Sequence, residues 1–286
     1  MSNISASQVK ELREKTGLGL MDCKKALQDA NGDLDLAVEE LRKTSGLKAS
    51  KKSSRSAADG LIGIKSADGK SFMVEINCET DFVARDESFN LFMQEVLEIV
   101  SNNANKSLEE LLKLEIEEKR EKLVQKLGEN IVVRRATASE DDADSSGVYL
   151  HSNNKIGTII SLKGGTEEIA KDIAMHAAAT DPMAISPSDI PEEVIEKERE
   201  IYRAQSEESG KPEDIIEKMI DGKIKKFLSE VSLTEQDFVK DPGLKINDLL
   251  KDSDANIIGF KRFEVGEGIE VEKVDFASEV MSQIEG

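Results

Sequence analysis

The chain has 286 residues, a formal net charge of −19 and a pI near 4.7, which argues against phosphate-backbone binding as its main task, because nucleic-acid affinity rests on a concentrated positive field. Charged residues make up 34% and the apolar set 38%, with 4% aromatic and no Trp, so the cores must rest on Leu, Ile, Val and Ala, a composition that favours helices over a sandwich or barrel. The length leaves room for two or three compact units, while two cysteines and two histidines give no zinc-type ligand cluster and suit a reducing compartment.

In chain order, Ser5 with Gln8 makes a capping box and Ile4 can staple onto Val9, so a helix is expected over about 6–16, stopped by Gly17. A second helix is expected over 22–30, and Asp33 caps a third whose inward row is Leu34, Ala37, Val38 and Leu41. Three helices of this length make a minimal bundle. Residues 44–60 are rich in Ser, Ala and Lys, with Lys48, Lys51, Lys52 and Arg55 the densest positive charge, and read as a tether. No aromatic is interleaved there to stack on bases, so a solvated linker is favoured over a nucleic-acid patch.

Strands over 61–64 and 71–77 flank Asp68-Gly69, which suits a tight hairpin turn. Phe72, Val74 and Ile76 alternate with Met73, Glu75 and Asn77, the period of a half-buried strand. From Phe89 the apolar residues change step to Phe89, Phe92, Met93, Val96, Leu97 and Val100, a helical stripe. The connection, Cys78 to Arg85, fits neither period. Its Phe82 is either a plug for the local core, which the general placement of aromatics favours, or a contact for something outside the chain. A helix capped by Ser107 and Glu110 and stopped by Gly128 follows, then a third strand from Ile131, and an acidic loop over 140–146.

The pattern then returns: strands over 147–151 and 156–162 around Asn153-Asn154, a Gly164-Gly165-Thr166 break, and a helix through Ile169, Ile173 and His176. His176 shares the stripe of Ile169 and Ile173, which suits a core histidine. Hairpin-then-helix twice over implies an architectural duplication, an α+β fold with helices packed on small antiparallel sheets. Helices over about 191–208 and 212–228, joined at Gly210-Lys211, form an antiparallel hairpin, either a stabilising arm or a partner or self-association surface. A short helix near 243–250 and a strand over 257–265 return to the second half, and a tail helix is expected around 276–281. The expected division is 1–55, 56–140, 141–262 with the hairpin inserted at about 186–228, and 263–286.

No Gly-x-x-x-x-Gly-Lys-Ser/Thr loop is present, so no resident nucleotide, cofactor or metal is expected. Glu79 and Asp81 are not converged by alternation on an extended segment, and no His or nucleophilic Ser motif accompanies them, so no enzyme active site is read there. The first residues lack a signal pattern and no run of about 18 apolar residues exists, so a cytoplasmic protein without membrane association is expected.

Glu75 to Arg85, Glu-Ile-Asn-Cys-Glu-Thr-Asp-Phe-Val-Ala-Arg, resembles a signature of the bacterial translation elongation factor Ts family, the nucleotide exchange factors of elongation factor Tu. Leu12 to Leu27 resembles that family's other signature, and Arg262 to Glu270 its C-terminal motif. Glu79 stands where many members carry Gln, and Arg85 where Lys is common. The resemblance implies a ubiquitin-associated-like fold for the first three helices. It further implies a wedge role for Thr80, Asp81, Phe82 and Val83, which would dislocate magnesium on elongation factor Tu, with Phe82 the wedge and Asp81 the charge beside the magnesium region. It implies a partner contact at Met21 on an exposed turn, and places the helix of His176 near the partner's other domains, so core and interface both stand open for that residue. For the hairpin it implies protein contacts and, in some members, a homodimer. The leading expectation is therefore an exchange factor. The alternative is a scaffold or chaperone-like binding protein that exchanges nothing.

Overall fold

The computed structural model describes residues 4–207 and 212–270. The described residues divide into two compact units, the first from those up to Leu61, Val74–Ala136 and those from Glu264 to Glu270, the second from Ile62–Met73 and those between Thr137 and Phe263.

The first unit begins with α1 (Ala6–Thr16), α2 (Leu20–Asp29) and α3 (Leu34–Lys52). The Ser5–Gln8 capping box is present, Gly17 ends α1 in the left-handed region, and the Asp33 carboxylate accepts from the Leu36 amide. Val9, Leu12, Leu18, Cys23, Ala26, Leu27, Ala37 and Leu41 form the bundle core, with Ile4, Leu34 and Val38 against it.

The expected tether is a correction, because α3 continues to Lys52. Ser45 and Ala49 are buried, and the Thr44 and Ser45 hydroxyls donate to the carbonyls of Glu40 and Arg42. Arg42 pairs with Glu118 and the Lys52 ammonium donates to the Gly128 carbonyl. Ser, Ala and Lys are adequate helix formers once one face has something to pack on. Composition recorded polarity here, not conformation.

Strands β1 (Asp59–Ala67) and β2 (Lys70–Cys78) join through Asp68 and Gly69, both at positive φ as a tight hairpin requires. Then follow α4 (Asp81–Ala84), α5 (Glu87–Asn102), α6 (Leu108–Leu111), which passes through a wider turn over Leu112–Ile116 into α7 (Glu117–Leu127), and β3 (Val132–Ala138). The sheet order is β1-β2-β3, and α5 buries all six residues of its stripe.

The half-buried reading of β2 is also corrected, since Ser71 to Cys78 are buried on both faces. Burial of Glu75 is tolerated because its carboxylate accepts from Arg134 (3.1 Å), Asn77 (3.0 Å) and the Gly266 amide (3.0 Å), and from Arg135. The last two tie β2 to β3 and to the 265–268 turn. Gly266 sits at φ 76, and a Cβ there would lie 2.2 Å from the Ala58 carbonyl oxygen.

In the second unit β4 (Ser145–Leu150) pairs antiparallel with β5 (Ile156–Gly164), Gly147 opposite Ile160, and the sheet order is β4-β5-β8 with β8 at Ala255–Glu264. α8 (Glu167–Thr180) packs on β4 and β5. Ile160, Leu162, Ile173, Ala174, Leu233, Phe238 and Ile246 sit in its core. Helices α9 (Glu192–Glu207) and α10 (Glu213–Val231) are antiparallel, pairing Arg199 with Asp221 and Arg203 with Glu217 around Ile216, Ile220 and Ile224. A two-stranded ribbon, β6 (Asp237–Phe238) and β7 (Asp241–Lys245), leads into α11 (Ile246–Asp252). The helices and small antiparallel sheets make this an α+β protein, as the patterning implied. The Gly210-Lys211 junction and the expected 276–281 helix lie outside the described residues.

Candidate functional site: an elbow that presents Phe82

Between β2 and α5 the chain makes a single helical turn, α4, with Thr80 as its N-cap in extended conformation. The Thr80 hydroxyl accepts from the Val83 amide (3.5 Å), and the Thr80 carbonyl accepts from the Ala84 amide (3.2 Å) and the Cys78 thiol (3.1 Å). The Asp86 amide donates to the Val83 carbonyl (3.0 Å), and the Asp86 carboxylate caps α5 at the Ser88 amide (2.7 Å). Asp81 pairs with Arg85 one turn on (2.8 Å).

This backbone sends neighbouring side chains opposite ways. Val83 and Ala84 are buried, whereas Phe82 is 80% exposed. The plug for the local core is therefore Val83, and the aromatic ring faces out. Leaving a ring in water forgoes about 1.5–3 kcal/mol that its burial would contribute, so the residue is not placed there by the core.

The second half of the chain gives an internal comparison. Thr166 caps α8 at the Ile169 amide with φ −129° and ψ 160°, against −131° and 157° at Thr80. Aligning the two threonines sets Phe82 opposite Glu168, which is exposed, and Val83 opposite Ile169, which packs on the core. The fold points this position outward in both copies, and only the first copy fills it with an apolar side chain.

Two further residues of the elbow carry no sequence pattern linking them to it. The Glu129 carboxylate accepts from the amides of Glu79 and Thr80, both at 3.0 Å, and from the Thr80 hydroxyl at 2.6 Å. Asn130 donates its amide to the Glu79 carboxylate (2.6 Å) and its side chain to the Arg55 carbonyl (2.8 Å). The only sequence hint was position, directly after the helix-ending Gly128.

Met21 is 73% exposed beside Leu20, at the start of α2, while Leu18 of the same turn is buried. His176, by contrast, lies in the core. Its Nε2 is 2.9 Å from the Gln236 side-chain oxygen and its Nδ1 accepts from the Val239 amide at 3.3 Å. The ring is thus neutral with the proton on Nε2; burial holds its pKa below the ordinary histidine value, partly offset by the Gln236 bond. Of the two readings open for His176, the chain presents the core one.

Glu79 and Asp81 are engaged separately, with Asn130 and Arg85, and do not converge. Among the described residues no group of three or more His, Cys, Asp or Glu side chains could hold a metal ion, and no helix is long and apolar enough to cross a membrane. Neither cysteine is in a disulfide, and both are buried.

The family model for elongation factor Ts matches residues 79–267, from the elbow to the 265–268 turn and well over half of the chain. The chain belongs to the elongation factor Ts family. Over its whole length it is 53% identical to the elongation factor Ts of Hahella chejuensis across 288 residues, covering all of both chains. That of Francisella tularensis subsp. novicida is 52% identical across 292 residues, again covering all of both, and that of Marinobacter nauticus 52% identical, covering 98% of this chain and 97% of the other. Membership places the chain among translation elongation factors.

Proposed function

We propose that this protein is a guanine nucleotide exchange factor that binds elongation factor Tu with GDP, promotes GDP release and is itself released when GTP binds. The observation that carries the reading is Phe82, held 80% exposed on a turn whose neighbours are all hydrogen-bonded or buried. A GTPase holds its nucleotide largely through phosphate contacts and a magnesium ion that offsets phosphate charge. An apolar wedge entering the nucleotide domain, with the Asp81 carboxylate beside it, removes the geometry of the magnesium ligands and phosphate loop, and the nucleotide leaves. No bond is made or broken by this chain, so it needs neither a nucleophile nor a general base, and its function is not that of an enzyme. Met21 and Leu20, exposed on the three-helix module, are assigned as a second contact with the same partner.

Linkage fixes the reverse step. If the factor weakens nucleotide binding by a given free energy, typically ~1–3 kcal/mol, nucleotide weakens the factor's binding equally, and incoming GTP drives it off. Stopped-flow release of labelled GDP from elongation factor Tu tests the proposal: acceleration that rises with factor concentration to a plateau is expected. A stable complex with unchanged GDP release would instead establish a scaffold.

A further inference from the structure

We infer that Glu129 is the positioning residue of the elbow, the group that fixes the direction in which Phe82 points. This rests on the exchange reading above.

The turn that carries Phe82 has only four residues, too short to hold itself as a helix, because nucleation costs more than one turn of hydrogen bonds returns. Its direction is set by the two residues that lead into it. Strand β2 ends at Cys78, so the amides of Glu79 and Thr80 have left the ladder and need other acceptors. One carboxylate supplies them: Glu129 Oε2 takes both amides and Oε1 takes the Thr80 hydroxyl. Three donors on one charged acceptor fix both position and orientation, and charge-assisted bonds of this kind are the stronger class.

The acceptor is itself anchored. Gly128 turns the chain in the left-handed region at the end of α7, and the next residue but one, Asn130, closes the clasp in the opposite sense by donating its amide to the Glu79 carboxylate. Its side chain reaches back to the Arg55 carbonyl, and Lys52 binds the Gly128 carbonyl. Residues 128–130 thus hold the elbow and the chain leaving the three-helix module from one point.

The duplicate half argues that this clasp is not a general need of the fold. Thr166 has the same backbone angles and the same cap bond, to the Ile169 amide, and among the described residues it is bonded to no carboxylate. The copy that carries Glu168 does without the clasp, and the copy that displays the ring has it.

Two measurements on the full chain test the inference, with Glu129→Ala as the loss and Glu129→Gln as the conservative rescue. The amide oxygen of Gln can accept from the two backbone N–H groups while its NH2 donates to the Thr80 oxygen. Without partner, hydrogen–deuterium exchange at the Glu79 and Thr80 amides should quicken about ten-fold or more in Glu129→Ala, the ratio expected for losing a charge-assisted bond, and lie nearer wild type in Glu129→Gln. With elongation factor Tu, the plateau rate of GDP release should fall by about ten-fold in Glu129→Ala while the half-saturating concentration moves less than about three-fold, and Glu129→Gln should recover most of the plateau. Unchanged amide exchange, or an unchanged plateau despite faster amide exchange, would overturn the role of Glu129. No acceleration by the wild-type chain would overturn the exchange reading itself, and the role with it, while the amide-exchange arm would still report whether the clasp exists.

Discussion

Truncating Phe82 to Ala separates a ring that packs the protein from a ring that addresses another molecule. Full burial of a phenylalanine side chain contributes about 1.5–3 kcal/mol. With the residue 80% exposed, the covered fifth corresponds to only about 0.3–0.6 kcal/mol. For units of this size 1 kcal/mol shifts Tm by about 2–4 °C, so Phe82→Ala should move Tm by no more than about 2.5 °C. Phe89, fully buried in the first turn of α5, is the internal control, and its truncation should cost about 3–5 kcal/mol. Differential scanning calorimetry of both variants, followed by GDP release from elongation factor Tu, gives the two readouts. The expected pattern is a stable Phe82→Ala protein with most of its exchange activity gone, and a Phe89→Ala protein that is markedly destabilised. A loss of more than about 2 kcal/mol on Phe82→Ala, in the range of a filled core site, would refute the reasoning, as would full exchange activity in a stable variant.

Other consequences follow from single groups. Burial alone would raise the Glu75 pKa, but the Gly266 amide, the Arg135 guanidinium and the Asn77 side chain together hold it below the usual carboxylate value. Its contribution to stability is therefore present above the unfolded carboxylate pKa and lost as pH falls through the lower folded value. Glu75→Gln should cost about 3–5 kcal/mol at neutral pH and flatten the acid limb of urea midpoints measured between pH 6 and 3. His176 has the opposite charge type but the same direction of shift. Its neutral form is favoured in the fold, so stability is full above the unfolded histidine pKa of about 6.5 and declines as pH falls toward the lower folded value; His176→Gln should remove that decline in urea midpoints taken between pH 7.5 and 5.5. Gly266→Ala places a Cβ against the Ala58 carbonyl at a positive φ; it should cost about 1–3 kcal/mol and open the turn at 265–268 to limited proteolysis sooner than in wild type.

Much of this architecture could be read from local chemistry. Ser5, Asp33 and Ser107 announced helix starts that depend only on residues three positions away, and Asp68-Gly69 announced a turn that depends on its own φ angles. The length of α3 could not be read that way, because Ser45 and Ala49 become a buried face only when α7, some seventy residues later, lies against them. The second buried face of β2 was hidden for the same reason. Glu75 looks like a solvent residue until Arg134, Arg135 and Gly266 arrive from far along the chain. At the elbow the sequence left Phe82 between plug and contact. The deciding fact is the one-turn helix, which spends Val83 on the core and leaves the preceding side chain outside. Glu129 and Asn130 were invisible, since a carboxylate about fifty residues away in sequence has no pattern that names its donors.

The most direct test of the central claim puts a photo-crosslinking benzoylphenylalanine in place of Phe82 and identifies, by mass spectrometry, what it joins when the chain is mixed with elongation factor Tu and GDP. Crosslinks concentrated in the GTPase's nucleotide-binding domain, near its magnesium and phosphate site, and suppressed by excess GTP, are the expected result. A complex that forms normally while residue 82 crosslinks only to its own chain, or to nothing, would contradict the account.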